Sequence, residues 1–335
     1  RPIGGTDRGG RFRRAYTQRQ KRRIRDDVEK GKVNRSRSCV FLQRVYAKTV
    51  EYSYIILYNM HMKIGVYTNF AKDPHGMLAK KFCGILAKRG IECAFFHGEG
   101  DDPGLSALDR SERIGDVLVA FGGDGTMLNV VGCCAERSVP ILGVNLGRIG
   151  FLTEASRSDL EQVVDRLVAG DYSVEERTML EAETSDKKSY VALNEIILGT
   201  DSNSRVCSID VEVDGVKADS VRGDGVIVAT ATGSTAYSLS CNGPVVAPDV
   251  KAFVINAICP HSLHFCPLVV SDSSVITLTG DGSKMRVTVD GRVYPAGGGD
   301  CRVTVRKSGR SALFVRLGEQ GFYEKLIKKL SYWSE

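Results

Sequence analysis

The chain has 335 residues, 42% hydrophobic and 26% charged, a length and composition that suit two domains with substantial cores and exclude collagen-like and wholly disordered classes. No run approaches the roughly 20 apolar residues of a membrane helix, and no apolar segment of secretory type follows the basic start, so the expected location is cytoplasmic. The net charge of +6 is unevenly placed, because residues 1–50 hold 16 Lys/Arg against 4 Asp/Glu, a balance of +12 that leaves −6 for the rest.

Residues 1–61 lack apolar periodicity and read as a basic, disordered extension. They begin at Arg1, and Met60 and Met62 stand just before the first strand, which fits a start assigned too early. A nucleic-acid arm is the other reading of the same charges, with no folded basic scaffold to support it. From Lys63 to Ala169 short apolar runs alternate with helical stretches. KIGVYTN, IECAFF, DVLVAFG and PILGVN read as buried strands. Helices are expected over 75–89, near 105–114, from Thr126 onward, and where Leu160, Val163, Val164 and Leu167 repeat on one face. This alternation predicts a mostly parallel sheet covered on both faces, a Rossmann-like α/β domain over 62–170.

After Asp171 strand follows strand: VALNEIILGT, DGVIVATAT, AFVINAI, SSVITLTG and SALFVRL. Asp214-Gly215 and Asp290-Gly291, each flanked by alternating apolar residues, predict hairpins. A β-rich, sandwich-like domain is therefore expected over 171–317, with a C-terminal helix in 318–335 returning toward the first domain. The ten cysteines are scattered and read as reduced thiols. CPHSLHFC brings Cys259, His261, His264 and Cys266 together, but without the longer connection between ligand pairs of a zinc finger, so a strand-loop-strand crossing is the better reading.

AFGGDGTML (120–128) is where chemistry enters. DVLVAF ends in two glycines, a lone aspartate and a third glycine before a helix, at the carboxyl end of a parallel strand, where ligands of α/β sheets bind. The amides of Gly122, Gly123 and Gly125 can face phosphate oxygens, aided by the helix N-terminus. An aspartate there repels phosphates. Asp124 makes sense as a proton acceptor or a Mg2+ holder, or else as a cap for its own helix. G-x-x-x-x-G-K-[ST], G-x-G-x-x-G after the first strand, and protein-kinase signatures are all missing.

GGDGTML (122–128), GVNLGRIGFLTE (143–154), LNEIIL (193–198) and RGDGVIVATATGSTAYSLSCNGPVV (222–246) resemble, in this order and at these separations, the NAD kinase family. GGDGT alone is shared with lipid kinases of the diacylglycerol type; LNE and TGSTAYSLS are the specific part. The resemblance implies transfer of the terminal phosphate of ATP, or of polyphosphate, to the adenosine ribose 2′-hydroxyl of NAD, giving NADP. It makes Asp124 the base, and Gly122, Gly123, Gly125 and Thr126 the phosphate turn, with Mg2+ arriving on ATP. Asn194 and Glu195 would read the adenosine end of NAD, although consecutive strand residues point to opposite faces unless a bulge intervenes. Asp224 would lie near the nicotinamide-side ribose, Arg222 near phosphate, and Arg205 would come from a neighbouring subunit of a homodimer or homotetramer. Ser234, Thr235, Ala236, Tyr237, Ser238, Leu239 and Ser240 would line the base and phosphates, with Arg292 a further contact at a hairpin tip.

Three features depart from the family pattern: the basic head, Cys266 in place of a basic residue before PLVV, and Asn129 where a substrate-touching helix residue is common. Two rivals remain, a lipid kinase of the same superfamily and a non-catalytic NADP(H) sensor with a nucleic-acid arm.

Overall fold

A computed structural model of the chain describes residues 62–98, 107–108, 111, 113–147, 150–200, 206–262, 265–280, 285–296, 301–318 and 321–332. The basic head, Arg205, His264 and most of the helix expected near 105–114 lie outside these residues. In chain order the strands are β1 (Lys63–Asn69), β2 (Glu92–Gly98), β3 (Val117–Gly122), β4 (Ile141–Asn145), β5 (Ala155–Ser156), β6 (Ser173–Thr184), β7 (Ser189–Ala192), β8 (Glu195–Thr200), β9 (Cys207–Val213) and β10 (Val216–Gly223). They continue as β11 (Gly225–Thr230), β12 (Ala252–Ile258), β13 (Leu268–Ser271), β14 (Ile276–Gly280), β15 (Met285–Val289), β16 (Arg292–Pro295) and β17 (Cys301–Arg316). The helices are α1 (Met77–Lys88), α2 (Asp124–Glu136), α3 (Leu160–Ala169), the single turn α4 (Tyr237–Ser240) and α5 (Phe322–Tyr332).

The N-terminal strands pair in parallel in the order β2–β1–β3–β4. Because successive residues face opposite sides, Ile64, Val66, Val119 and Phe121 pack on one face with Phe82 and Leu86 of α1 and with Leu160 and Val164 of α3. Leu118 and Ala120 face the other side and meet Met127, Val130 and Val131 of α2. The sheet is Rossmann-like, covered on both faces, with the β3–α2 turn at its carboxyl edge.

The chain then builds a β-rich part whose two sheets enclose one core, with Ile196, Leu198, Val226 and Val228 facing Ile209, Val211, Leu278 and Val303. One sheet runs β13–β12–β11–β8–β15–β16, antiparallel throughout. The other is continuous with the N-terminal sheet. Strand β17 pairs antiparallel with β6 and β14, and its Phe314 meets Ile141 of β4 in parallel, giving the order β10–β9–β14–β17–β4–β3–β1–β2. SALFVRL is thus only the second half of a 16-residue strand. Both Asp-Gly pairs form hairpin turns with both residues at positive φ, Asp214 and Gly215 at 52° and 81°, and Asp290 and Gly291 at 45° and 83°.

Two sequence expectations need correction. Helix α2 opens at Asp124, not Thr126, because Gly123 is extended and its carbonyl already accepts the Thr126 and Met127 amides. VALNEIILGT is not one strand either: a bend at residues 193–194 separates β7 from β8, because the Asp290 carboxylate draws the Leu193, Asn194 and Glu195 amides to itself. Among the described residues no helix is long and apolar enough to cross a membrane.

Candidate active site

The glycines of the β3–α2 turn have separate tasks. A Cβ on Gly122 would overlap the Thr126 hydroxyl, so glycine there lets Thr126, 1% exposed, fold back beneath the turn. Gly123 is the extended residue before α2, and the Lys72 ammonium lies 3.8 Å from where its Cβ would stand. Gly125 faces open space. A helix N-terminus and a nearby lysine both bring positive charge to this turn.

Asp124 is the first residue of α2, just after the N-cap Gly123, and among the described residues its carboxylate makes no hydrogen bond to its own helix. Its carboxylate reaches sideways instead, Oδ2 accepting the Phe151 amide at 3.0 Å and Oδ1 the Leu152 amide at 3.0 Å. Gly150 permits this approach, since a Cβ there would overlap the carboxylate. A third donor comes from α5: Lys329 Nζ lies 3.3 Å from Oδ2 and 4.2 Å above the Phe151 ring.

A buried ionic chain supports these parts. Lys325 of α5 donates to Thr153 O and to Glu154 Oε2, both at 2.9 Å. Burial pushes its pKa down, and Glu154 opposes. Arg316 bridges Glu154 and Glu175, and Glu175 pairs with Arg177 at 2.8 Å. Burial pushes Glu175 up, but Arg177 and Arg316 prevail and hold it below the usual carboxylate range. Arg177 then donates to Thr232 Oγ1 at 3.1 Å, fixing the start of the TGSTAYS segment.

A second group of residues surrounds a cavity of about 500 Å³ whose lining includes Glu195, Asp224, Tyr237, Arg286, Thr288 and Gly291. Asp290 organises it from behind, with Oδ2 accepting the Leu193 amide at 2.7 Å and Oδ1 those of Asn194 and Glu195 at 2.8 and 3.1 Å. Asn194 therefore sits in the bend rather than the strand, and strand alternation does not set its direction. Thr230 locks the same bend, its Oγ1 donating to Leu193 O at 2.6 Å and its amide to Asn194 O at 2.9 Å. Glu195 is 6% exposed and its Oε2 has no partner among the described residues. Burial, then the Asp290 charge, pushes its pKa up to about 8 against a hydrogen bond from the Tyr237 amide.

In the TGSTAYS segment the Ser234 hydroxyl donates to Ala231 O and accepts the Val246 amide, and Thr235 Oγ1 donates to Thr232 O. These two hydroxyls brace the loop. Ser238 Oγ is buried and unpartnered among the described residues, whereas Tyr237 and Ser240 are exposed and Ala236 and Leu239 half-buried. A Cβ on Gly233 would overlap Asn194 O, so this glycine lets the loop lie directly on the bend. Asp224 and Arg222 are exposed beside the cavity strands, and the Arg222 carbonyl accepts the His261 amide. Arg292 donates to Asn129 Oδ1 of α2 at 3.0 Å, so the hairpin that holds residues 193–195 also touches the helix of Asp124. Among the described residues no group of three His, Cys, Asp or Glu is placed to hold a metal ion. Asp290, Lys72, Lys329, Gly150 and Arg177 carry much of this arrangement and were not legible as site residues. Gly150 stood in GVNLGRIGFLTE and Asp290 in an Asp-Gly pair, but the first carried only the family resemblance and the second signals a hairpin.

Residues 64–172 match the ATP-NAD kinase N-terminal domain and residues 193–317 the ATP-NAD kinase C-terminal domain. The chain is 36% identical over 269 residues to an NAD kinase of Caldicellulosiruptor saccharolyticus, covering 80% of this chain and 99% of that one. It is 37% identical over 278 residues to an NAD kinase of Heliobacterium modesticaldum, covering 80% and 98%. Among solved structures, an Archaeoglobus fulgidus NAD kinase in complex with ATP aligns with a TM-score of 0.67 at 30% identity, over 81% of this chain and 99% of that one. A yeast NADH kinase complexed with NADH aligns at 0.72 and 24% identity, over 82% and 89%, a likeness of fold. With both domains matched in the order in which the motifs run, and relatives above 30% identity spanned almost end to end, the chain belongs to the NAD kinase family.

Proposed function

We propose that the NAD kinase activity of this chain is carried by Asp124 as the base that activates the adenosine ribose 2′-hydroxyl of NAD toward the terminal phosphorus of ATP. The observation that carries the reading is the carboxylate itself, held beside the β3–α2 turn by two amides and a lysine instead of bonding to its own helix. The 2′-oxygen forms the new bond to phosphorus, the bond to the β,γ-bridging oxygen breaks, ADP leaves, and the 2′-hydroxyl proton passes to Asp124. Phosphoryl transfer asks little more of a protein than alignment and charge neutralisation. Gly122, Gly123, Gly125 and Thr126 shape the turn for the donor phosphates, with Lys72 beside them as a counter-charge. Mg2+ enters on ATP as part of the substrate.

NAD is assigned to the cavity group. The Asn194 amide can donate to and accept from a ring edge, and Glu195 and Asp224 suit ribose hydroxyls. Tyr237 offers a ring face, and Ala236, Ser238, Leu239 and Ser240 offer backbone and hydroxyl contacts, while Ser234 and Thr235 hold the loop's shape. Arg222 is assigned to phosphate, and Arg205 to a contact across a homodimer or homotetramer. Residues 62–170 form the donor-side domain, 171–317 the NAD-side domain, and 318–335 return to the first.

The test is product identity. Incubation with NAD, ATP and Mg2+ should yield a nucleotide that an NADP-specific dehydrogenase reduces and whose phosphorus resonance is that of a ribose 2′-monoester. Folded protein that phosphorylated diacylglycerol instead, or left NAD unchanged, would overturn the assignment.

A further inference from the structure

We propose that the C-terminal helix α5 is a working part of the phosphoryl-transfer site and that Lys329 is a positioning residue for Asp124. Lys325 and Lys329 stand four residues apart and so share one face of α5. Lys325, 8% exposed, gives its ammonium to Thr153 O and Glu154 Oε2. A buried cation is tolerated only with partners in good geometry, so this contact registers α5 on the 151–154 segment. Phe322 adds a ring contact to Phe151 at 6.0 Å. The same segment supplies the two amides that hold Asp124. One turn further on, Lys329 reaches Oδ2 of Asp124 with its ammonium above the Phe151 ring.

The pairing answers the difficulty of a carboxylate beside phosphates. Alone, the Asp124 charge repels a triphosphate. Paired with Lys329 it presents almost no net charge to the donor, yet a carboxylate oxygen has more lone-pair sites than the present donors use and can still take a proton. The two amides fix the carboxyl plane, and Lys329 sets an opposite charge beside it and holds the rotamer.

This inference rests on Asp124 being the base, and the experiment separates the two ideas. Lys329→Ala should lower kcat about 10- to 100-fold, the weight of one hydrogen bond to a charged group. The KM for NAD should stay nearly unchanged and the melting temperature within about 2 °C, because the side chain is partly exposed. Ethylammonium added to the assay should restore part of the lost rate with saturation, and Lys329→Arg should retain most of it. In an Asp124→Asn background, Lys329→Ala should cost little further. Unchanged or increased kcat in Lys329→Ala, the latter marking α5 as a latch, would overturn the proposal. So would a loss that neither ethylammonium nor arginine relieves, or one of equal size in the Asp124→Asn background. Full activity of Asp124→Asn alone would instead overturn the reading of Asp124, whereas an inactive Asp124→Asn variant beside a fully active Lys329→Ala variant would defeat only the role of Lys329.

Discussion

Glu195 sits at the cavity with one carboxyl oxygen unpartnered and a pKa pushed up to about 8, first by burial and then by the charge of Asp290. In the unfolded chain the same carboxyl ionises in the ordinary range. Between those two values the native state holds a proton that the unfolded state has lost, so stability falls as pH rises through the window. The contribution is fully present below the unfolded pKa and gone above about 8. Burial also raises Asp290 against its three amides, adding a slope of the same sign. Melting temperatures measured from about pH 5 to about pH 9 should therefore decline in the wild type, and Glu195→Gln should flatten most of that decline. A variant as steep as the wild type would show that Glu195 does not carry the slope. Nothing in the letters LNE foretells this, because the perturbation comes from burial and from a carboxylate 95 residues away in sequence.

At the scale of elements, strands and turns signalled by their own residues were legible, and features imposed by distant side chains were not. KIGVYTN is β1 as the alternation drew it, and both Asp-Gly hairpins stand where the flanking apolar residues placed them. The bend at 193–194 was hidden because its cause is Asp290, on a hairpin far along the chain. The same is true of Asp124, whose helix was foreseen but whose partners lie 27, 28 and 205 residues away. Asp290→Ala tests the bend. Three amides lose their acceptor in a largely buried place, each worth about 1–3 kcal/mol when left unsatisfied, although water entering the gap will recover part. We expect a loss of at least about 3 kcal/mol in urea unfolding and a larger KM for NAD. Asp290→Asn, which keeps one acceptor oxygen, should lie between the two. Wild-type stability and KM in Asp290→Ala would mean that β7 and β8 bend for another reason.

At the scale of the whole molecule, the sequence suggested an α/β part followed by a β-rich part, and the structure joins them through β17. That strand was missed over its first half, although Cys301, Val303 and Val305 alternate with polar residues, because the largely exposed run 307–310 interrupts the pattern at a register shift. One strand thus pairs with β4 on one side and with β6 and β14 of the β-rich part, and residues 59–335 form one compact unit. Such continuity predicts a single cooperative transition: urea unfolding followed by far-UV dichroism and by the melting of hydrogen-exchange protection in β1 and in β12 should give coincident midpoints. Separate midpoints would show that β17 does not couple the two parts. The same continuity sets the Asp124 turn and the Asp290 hairpin in one framework, joined where Arg292 meets Asn129. The function proposed for this framework depends on what Asp124 does there. The direct measurement is the rate of NADP formation from NAD and Mg·ATP by the wild type and by Asp124→Asn under saturating substrates, with NAD binding measured alongside. A kcat lowered at least about 100-fold with NAD affinity kept is the result expected of a lost base, and an Asp124→Asn enzyme that makes NADP at the wild-type rate would contradict it.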